Sequence, residues 1–247
     1  MAIQTFSARV ARISLATPSV RRLSFERLDG QPHDFVAGQF IMVHFDSEGE
    51  ALQRSYSIGC QPQSATSFEI LVSYVDEGRG TRFLFGLQEG DTLELSGPYG
   101  RFCLRPESPR ALWMVATGTG VVPYHAMLPE LEARAAAGTS VHILQGVRRQ
   151  EDILYRDAFE QAAARSAGLH FTACLSREPD AAAEGLRGGY VQDALLAAAP
   201  DPEHDLVYLC GNPAMIDDAV ARLQALGFSP RALRREKYQS PKTPGAQ

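Results

Sequence analysis

The texture of the chain changes near residue 105. Before it, short runs mixing apolar and polar residues recur at 8–15, 20–25, 39–45, 68–75 and 92–96. Gly, Pro and Asp turns separate them, which is the pattern of a β-barrel or sandwich. A linker-like stretch, Arg105-Pro106-Glu107-Ser108-Pro109-Arg110, follows. Beyond it, apolar strand-length runs at 111–116, 141–146, 170–175, 206–210 and 232–238 alternate with helical stretches at 122–137, 155–166, 191–199 and 213–226. That alternation specifies βαβ units and a parallel sheet with helices on both faces. Two halves of different class predict two domains, residues 1–105 and 106–247.

Composition narrows the function. The charge balance of 24 basic against 29 acidic residues gives −5, so no basic field points to nucleic acid or an anionic membrane. The apolar runs are far short of a bilayer span, and Met1 is followed by no secretory pattern. Cys60, Cys103, Cys174 and Cys210 are scattered, without the spacing of a zinc or iron–sulfur site. The reading is a cytoplasmic globular protein that carries no metal of its own. The six histidines form no close metal-type pair, and no Gly-x-Ser-x-Gly elbow marks a hydrolase.

Two segments carry candidate chemistry. Thr117-Gly118-Thr119-Gly120 sits between the first strand and first helix of the second half. Glycines there let backbone approach a phosphate at a helix N-terminus. A plain strand–helix turn has the same look, and Pro123 stands where the dinucleotide fingerprint has its third glycine. Arg54-Ser55-Tyr56-Ser57 lies in the β half. A strand would point Arg54 and Tyr56 one way and the serines the other. An arginine neutralises a pyrophosphate, a tyrosine stacks on a flat ring and a serine bonds a ring nitrogen. A solvated edge strand is the competing reading.

With these segments in order, the chain resembles the ferredoxin–NADP reductase family over nearly its full length. Arg54-x-Tyr56-Ser57 is similar to the family's flavin motif, and Gly78-Arg79-Gly80-Thr81 to its flavin pyrophosphate loop. Gly97-Pro98-x-Gly100-x-Phe102 resembles the turn that closes its barrel. Gly118-Thr119-Gly120-x-x-Pro123 resembles its pyridine-nucleotide loop, and Cys210-Gly211-Asn212-Pro213-x-Met215 its Cys-Gly motif. The resemblance implies an antiparallel Greek-key β-barrel that binds FAD, followed by a doubly wound parallel-sheet domain that binds NADP(H).

The resemblance also implies roles. Arg54 would contact the FAD pyrophosphate, with Ser55 beside it. Tyr56 would stack on the isoalloxazine, and Ser57 would bond near flavin N5. Gly80 and Thr81 would bind the other side of the phosphates, though Thr81 also suits the N-cap of a short helix at 83–87. Cys210, Gly211 and the Thr117 to Gly120 loop would hold NADP, with the Cys210 sulfur near nicotinamide C4. A small buried hydrophobe is the competing reading of Cys210. Glu236 would organise the site with Ser57 and Cys210, and Tyr238 would cover the flavin. Plant-type members end at that aromatic residue. Here residues 239–247 follow, and the tail itself is the alternative cover.

Arg148, Arg149, Ser176 and Arg177 match positions that hold the 2′-phosphate in NADP-preferring relatives, and Tyr190 the residue that stacks on adenine. The implied enzyme is a ferredoxin/flavodoxin–NADP(+) reductase. It would act as a monomer on ferredoxin or flavodoxin, with Arg9, Arg12, Arg21 and Arg22 as a candidate docking patch. The alternatives are an NADH-dependent reductase component of an oxygenase system and a non-catalytic nucleotide-binding regulatory subunit.

Overall fold

The computed structural model describes residues 3–62, 67–183 and 185–238. They form two compact units that divide between Arg101 and Phe102. The first holds β1 (Gln4–Thr17), β2 (Val20–Arg27), β3 (Phe40–Ser47), β4 (Glu50–Ser57), β5 (Ser67–Ser73), α1 (Arg79–Gly86) and β6 (Thr92–Tyr99).

These strands pair antiparallel in the order β4-β3-β6-β1-β2-β5. β6 returns between β1 and β3, which is a Greek-key connection. The sheet curls until its edges meet, where Ile58 bridges to Ile70 and the Gly59 N–H donates to the Glu69 carbonyl (2.8 Å). Alternate residues of every strand fill the interior, among them Phe6, Ala8, Leu23, Phe25, Ile41, Val43 and Leu95. β4 is a sixth strand that the sequence reading did not separate. It is mostly polar, because Glu50, Ala51, Gln53 and Ser55 face solvent. α1 begins at Arg79, four residues before the expected helix. Gly78 is its N-cap, so Thr81 is not.

The second unit holds β7 (Ala111–Thr117), α2 (Val122–Ala126), α3 (Leu128–Ala136), β8 (Ser140–Val147), α4 (Arg156–Arg165), β9 (Leu169–Leu175), β10 (Leu186–Gly188), α5 (Val191–Ala197), β11 (Asp205–Gly211), α6 (Pro213–Ala225) and β12 (Leu233–Lys237). All six strands are parallel, in the order β10-β9-β8-β7-β11-β12. Trp113, Val115, Leu144, Cys174, Val207 and Leu209 bury against α5 and α6 on one face. Phe171 stacks on Phe159 of α4 on the other, centroids 5.2 Å apart. The single helix expected at 122–137 is two. Pro129 lacks the N–H that would continue α2, and it suits the first turn of α3. β10 was not foreseen, being only three residues long.

Strand order reverses at β7, whose neighbours are β8 and β11. Ligands of such sheets gather outside the carboxyl ends at this switch point.

Candidate functional site

In the β unit, four of the expected residues converge. Arg54 and Tyr56 lie opposite Val43 and Ile41 in the β3–β4 register, so they share the core side of the sheet. α1 starts directly over them. A Cβ on Gly80 would stand 2.9 Å from Arg54 Cγ and 3.5 Å from the Tyr56 hydroxyl oxygen, so only glycine lets the helix start approach this closely. Burial pushes the Tyr56 phenol up to about 12, against the pull of Arg54.

The Thr81 hydroxyl lies 2.9 Å from the Val75 carbonyl and 3.0 Å from that of Gly78, closing the loop. Among the described residues no side chain caps the first turn of α1, which leaves its N–H groups and positive dipole end beside Arg54. These residues fit a pyrophosphate. Arg79, inside the same loop, turns away. It pairs with Glu50 (2.6 Å) and donates to the Ser47 hydroxyl (3.2 Å) and carbonyl. Ser55 is exposed, whereas Ser57 is buried where β4 runs into the barrel closure. The arginines expected to dock a partner are mostly engaged. Arg9 pairs with Glu26 (2.7 Å), Arg22 with Glu69 (3.8 Å), and Arg21 donates to the Phe85 carbonyl (2.7 Å).

In the α/β unit the expected residues collect at the carboxyl edge of the sheet. Thr117 ends β7 and leads into a tight turn at Gly118–Val121. Here backbone packs on backbone. A Cβ on Gly120 would lie 2.6 Å from the Cys210 carbonyl carbon, and one on Gly211 2.6 Å from the Thr117 carbonyl oxygen. The Thr117 hydroxyl accepts the Asn212 N–H (2.8 Å), and the Asn212 side chain caps α6 through the Ala214 N–H (2.8 Å). Two loops more than ninety residues apart in sequence are thereby fixed side by side.

Cys210 and Glu236 are register partners on β11 and β12, and the Tyr238 N–H donates to the Gly211 carbonyl (2.8 Å). Burial first, and the Glu236 carboxylate second, push the Cys210 thiol well above its ordinary range. A hydrogen bond from the Tyr238 side chain opposes them. Cys210 is therefore a neutral thiol and no nucleophile at neutral pH. The tail proposed as an alternative flavin cover lies outside the described residues.

Further along the edge, Arg148 and Arg149 follow β8, and Ser176 and Arg177 follow β9. The Arg177 N–H donates to the Arg148 carbonyl (2.9 Å), and the Ser176 hydroxyl to that of Val147 (3.2 Å). Arg149, Gln150, Glu151, Arg156 and Glu178 border a broad depression of about 600 Å³. Tyr190, 62% exposed, is the N-cap of α5. Sequence reasoning missed Gly146 near the end of β8. A Cβ there would come within 2.9 Å of Val191, so this glycine seats α5 and with it Tyr190. Its one signal was a glycine near the end of a strand in a βαβ unit.

The chain matches the oxidoreductase FAD-binding domain over residues 7–103 and the oxidoreductase NAD-binding domain over residues 114–221. It is 38% identical to ferredoxin–NADP reductase B of Sorangium cellulosum, across 85% of this chain and 84% of that one. This chain belongs to the ferredoxin–NADP reductase family. It is also 28% identical to reductase component 2 of terephthalate 1,2-dioxygenase from Comamonas, covering 90% of this chain but 65% of the relative. The crystal structure of an Amycolatopsis cytochrome P450 reductase superposes with a TM-score of 0.84 at 28% identity, over 95% of this chain and 70% of that one. The family member is thus a reductase with an FAD-binding and a nicotinamide-nucleotide-binding half. Among the described residues no helix is long and apolar enough to cross a membrane, and no three His, Cys, Asp or Glu side chains are grouped to hold a metal.

Proposed function

We propose that this chain is an NADPH-dependent flavoprotein reductase whose electron acceptor is a small one-electron carrier of the ferredoxin or flavodoxin type. The observation that carries the cofactor choice is the arginine corner at the ends of β8 and β9. The Arg177 N–H bonds the Arg148 carbonyl, which brings the two residues together at the ends of their strands. Both are exposed, and neither joins an ion pair among the described residues. Guanidinium forks suit a 2′-phosphate through charge-assisted bonds. Arg149 and Ser176 complete that corner, and Tyr190 supplies a ring for adenine. The Thr117 to Gly120 turn and Gly211 take the nucleotide pyrophosphate and nicotinamide end.

In the β unit, Arg54 and the first turn of α1, with Gly80 and Thr81, hold the FAD pyrophosphate, and Ser55 lies at its edge. Tyr56 packs on the flavin ring and Ser57 bonds its reacting edge. FAD held there would supply the chemistry that links two-electron hydride donors to one-electron carriers. Cys210 offers a small uncharged surface to nicotinamide C4, Glu236 fixes that thiol from the neighbouring strand, and Tyr238 bounds the same pocket. The carrier reading is supported by the relative at 38% identity, whose name is ferredoxin–NADP reductase.

One observation favours a second reading, an NADH-dependent oxygenase reductase. Glu178 accepts the Gln150 N–H (3.2 Å) and brings a carboxylate to the same corner, where NAD enzymes bond the ribose hydroxyls.

Steady-state dye reduction with each nucleotide separates the two. NADPH is expected to be preferred. Arg177→Ala should raise KM for NADPH by about tenfold, the loss of one charge-assisted bond, and leave NADH turnover within about twofold. An NADH preference, or equal losses with both nucleotides, refutes the NADPH reading. Protein that stays colourless after FAD is added points instead to a non-catalytic subunit.

A further inference from the structure

The faces of a parallel sheet are normally apolar and covered by helices. On the α5 face of this one the cover is incomplete. α5 has seven residues, about 10 Å, whereas the strands beneath it run about 23 Å or more. Towards the carboxyl edge, Val115, Leu144 and Cys174 are buried. Towards the amino edge, the same face carries Trp113, His142 and His170 in one register row. Their rings stack in a column, centroids 4.0 Å and then 4.9 Å apart. The helix end above offers only Ala194, Ala198 and Ala199, and small side chains leave space. The result is a cavity of about 390 Å³, within the range of small-molecule sites.

We infer that this cavity is a second binding site, for a small aromatic carboxylate, on the α5 face of the sheet. Two guanidinium groups border it. Arg110 is already bidentate to Asp205 (3.0 and 2.8 Å), so its charge is met. Arg187 on β10 pairs with no carboxylate among the described residues. One available cation selects a monoanion over a phosphate dianion. Trp113, Leu144 and the alanines supply an apolar floor for a flat ring, and the Ser140 and Thr172 hydroxyls line the rim. Burial and the neighbouring His170 hold His142 down to about 4, so it adds no second positive charge at neutral pH. Arg187 reaches the cavity from the register row of Cys174, Gly146 and Thr117, and the aromatic floor lies further from the nucleotide loops. Trp113 lies four residues, about 13 Å, below Thr117 on β7.

Trp113 is the sole tryptophan of the chain and lines this cavity, so its emission gives a probe at the site. Benzoate is the probe, titrated into the FAD-loaded protein and followed by tryptophan fluorescence and calorimetry. Saturable binding is expected, with a Kd of about 1 mM or tighter for a ligand of this size. Arg187→Ala should raise that Kd by about tenfold or more, and Ala198→Leu, which projects into the cavity from an exposed position, should abolish binding. Both variants should keep the parent's circular dichroism and nucleotide-dependent dye reduction. No saturation below about 20 mM, unchanged binding in both variants, or competition between benzoate and NADPH would each overturn the inference.

Discussion

Gly120 and Gly211 show what a single residue controls here. Each faces the backbone of the other's loop, and backbone cannot swing aside as a side-chain tip does. Gly120→Ala should therefore cost about 3 kcal/mol, from overpacking with no rotamer to relieve it. Gly211, at φ +119, should lose at least as much, since a side chain is strained there whatever the space. Gly86 is the control. Its Cβ would meet nothing within 4 Å, so Gly86→Ala should be neutral or slightly stabilising. Urea midpoints at constant m-value give the comparison. A Gly120→Ala protein as stable as the parent would show that the loop contact yields. The motif was legible in the sequence as a glycine pattern, but its physical cause was not. The clash partner, Cys210, is ninety residues away and only the fold brings it near.

At the scale of elements, legibility followed periodicity. The strongly apolar β7 and β11 and the helices on either side were readable from pattern alone. β4 was not, because its exposed positions carry Glu, Gln and Ser and its half-buried ones Arg and Tyr. The start of α1 was hidden by its two glycines, which argue against a helix by propensity. Tertiary contacts override that argument, because Arg79 ties the first turn to the β3–β4 turn through Glu50 and Ser47. This clamp holds the uncapped N–H groups over Arg54. Arg79→Ala should weaken FAD retention by several-fold and no more, since an exposed ion pair contributes only about 0.2–1 kcal/mol. Flavin released on dilution, read by its fluorescence, measures it. Glu50→Gln should give a smaller change in the same direction. An Arg79→Ala protein with unaltered FAD affinity would show that α1 holds its start without the clamp.

For the whole molecule, acid is the informative stress. His33 was one of six histidines without a metal pattern, in a Gly- and Pro-containing stretch without periodicity. In the fold it is buried in the barrel core among Phe6, Phe35 and Phe68, with ring centroids 5.2, 5.8 and 4.5 Å away. Its Nε2 has no hydrogen-bond partner among the described residues. Burial, and then the charge of Arg27, lower its pKa from 6.5 to about 4, while Asp34 acts the other way. The unfolded chain therefore binds a proton that the folded chain refuses between pH 6.5 and pH 4. Stability is full above pH 6.5 and falls as pH drops through that window, by up to about 3 kcal/mol. His142, also lowered to about 4, adds to the same limb. Asp29 does not share it. Its bond to Arg27 lowers its pKa from 3.8 to about 2, so that contribution is lost only at still lower pH. His33→Phe keeps an aromatic ring in the cluster and removes the titration. Urea unfolding at pH 7 and pH 5 should show the parent losing more stability than His33→Phe between the two. The comparison is of slopes, so a packing penalty common to both pH values cancels. Parallel losses in parent and variant would mean that His33 is hydrated or paired in solution, and that the acid limb belongs to other groups.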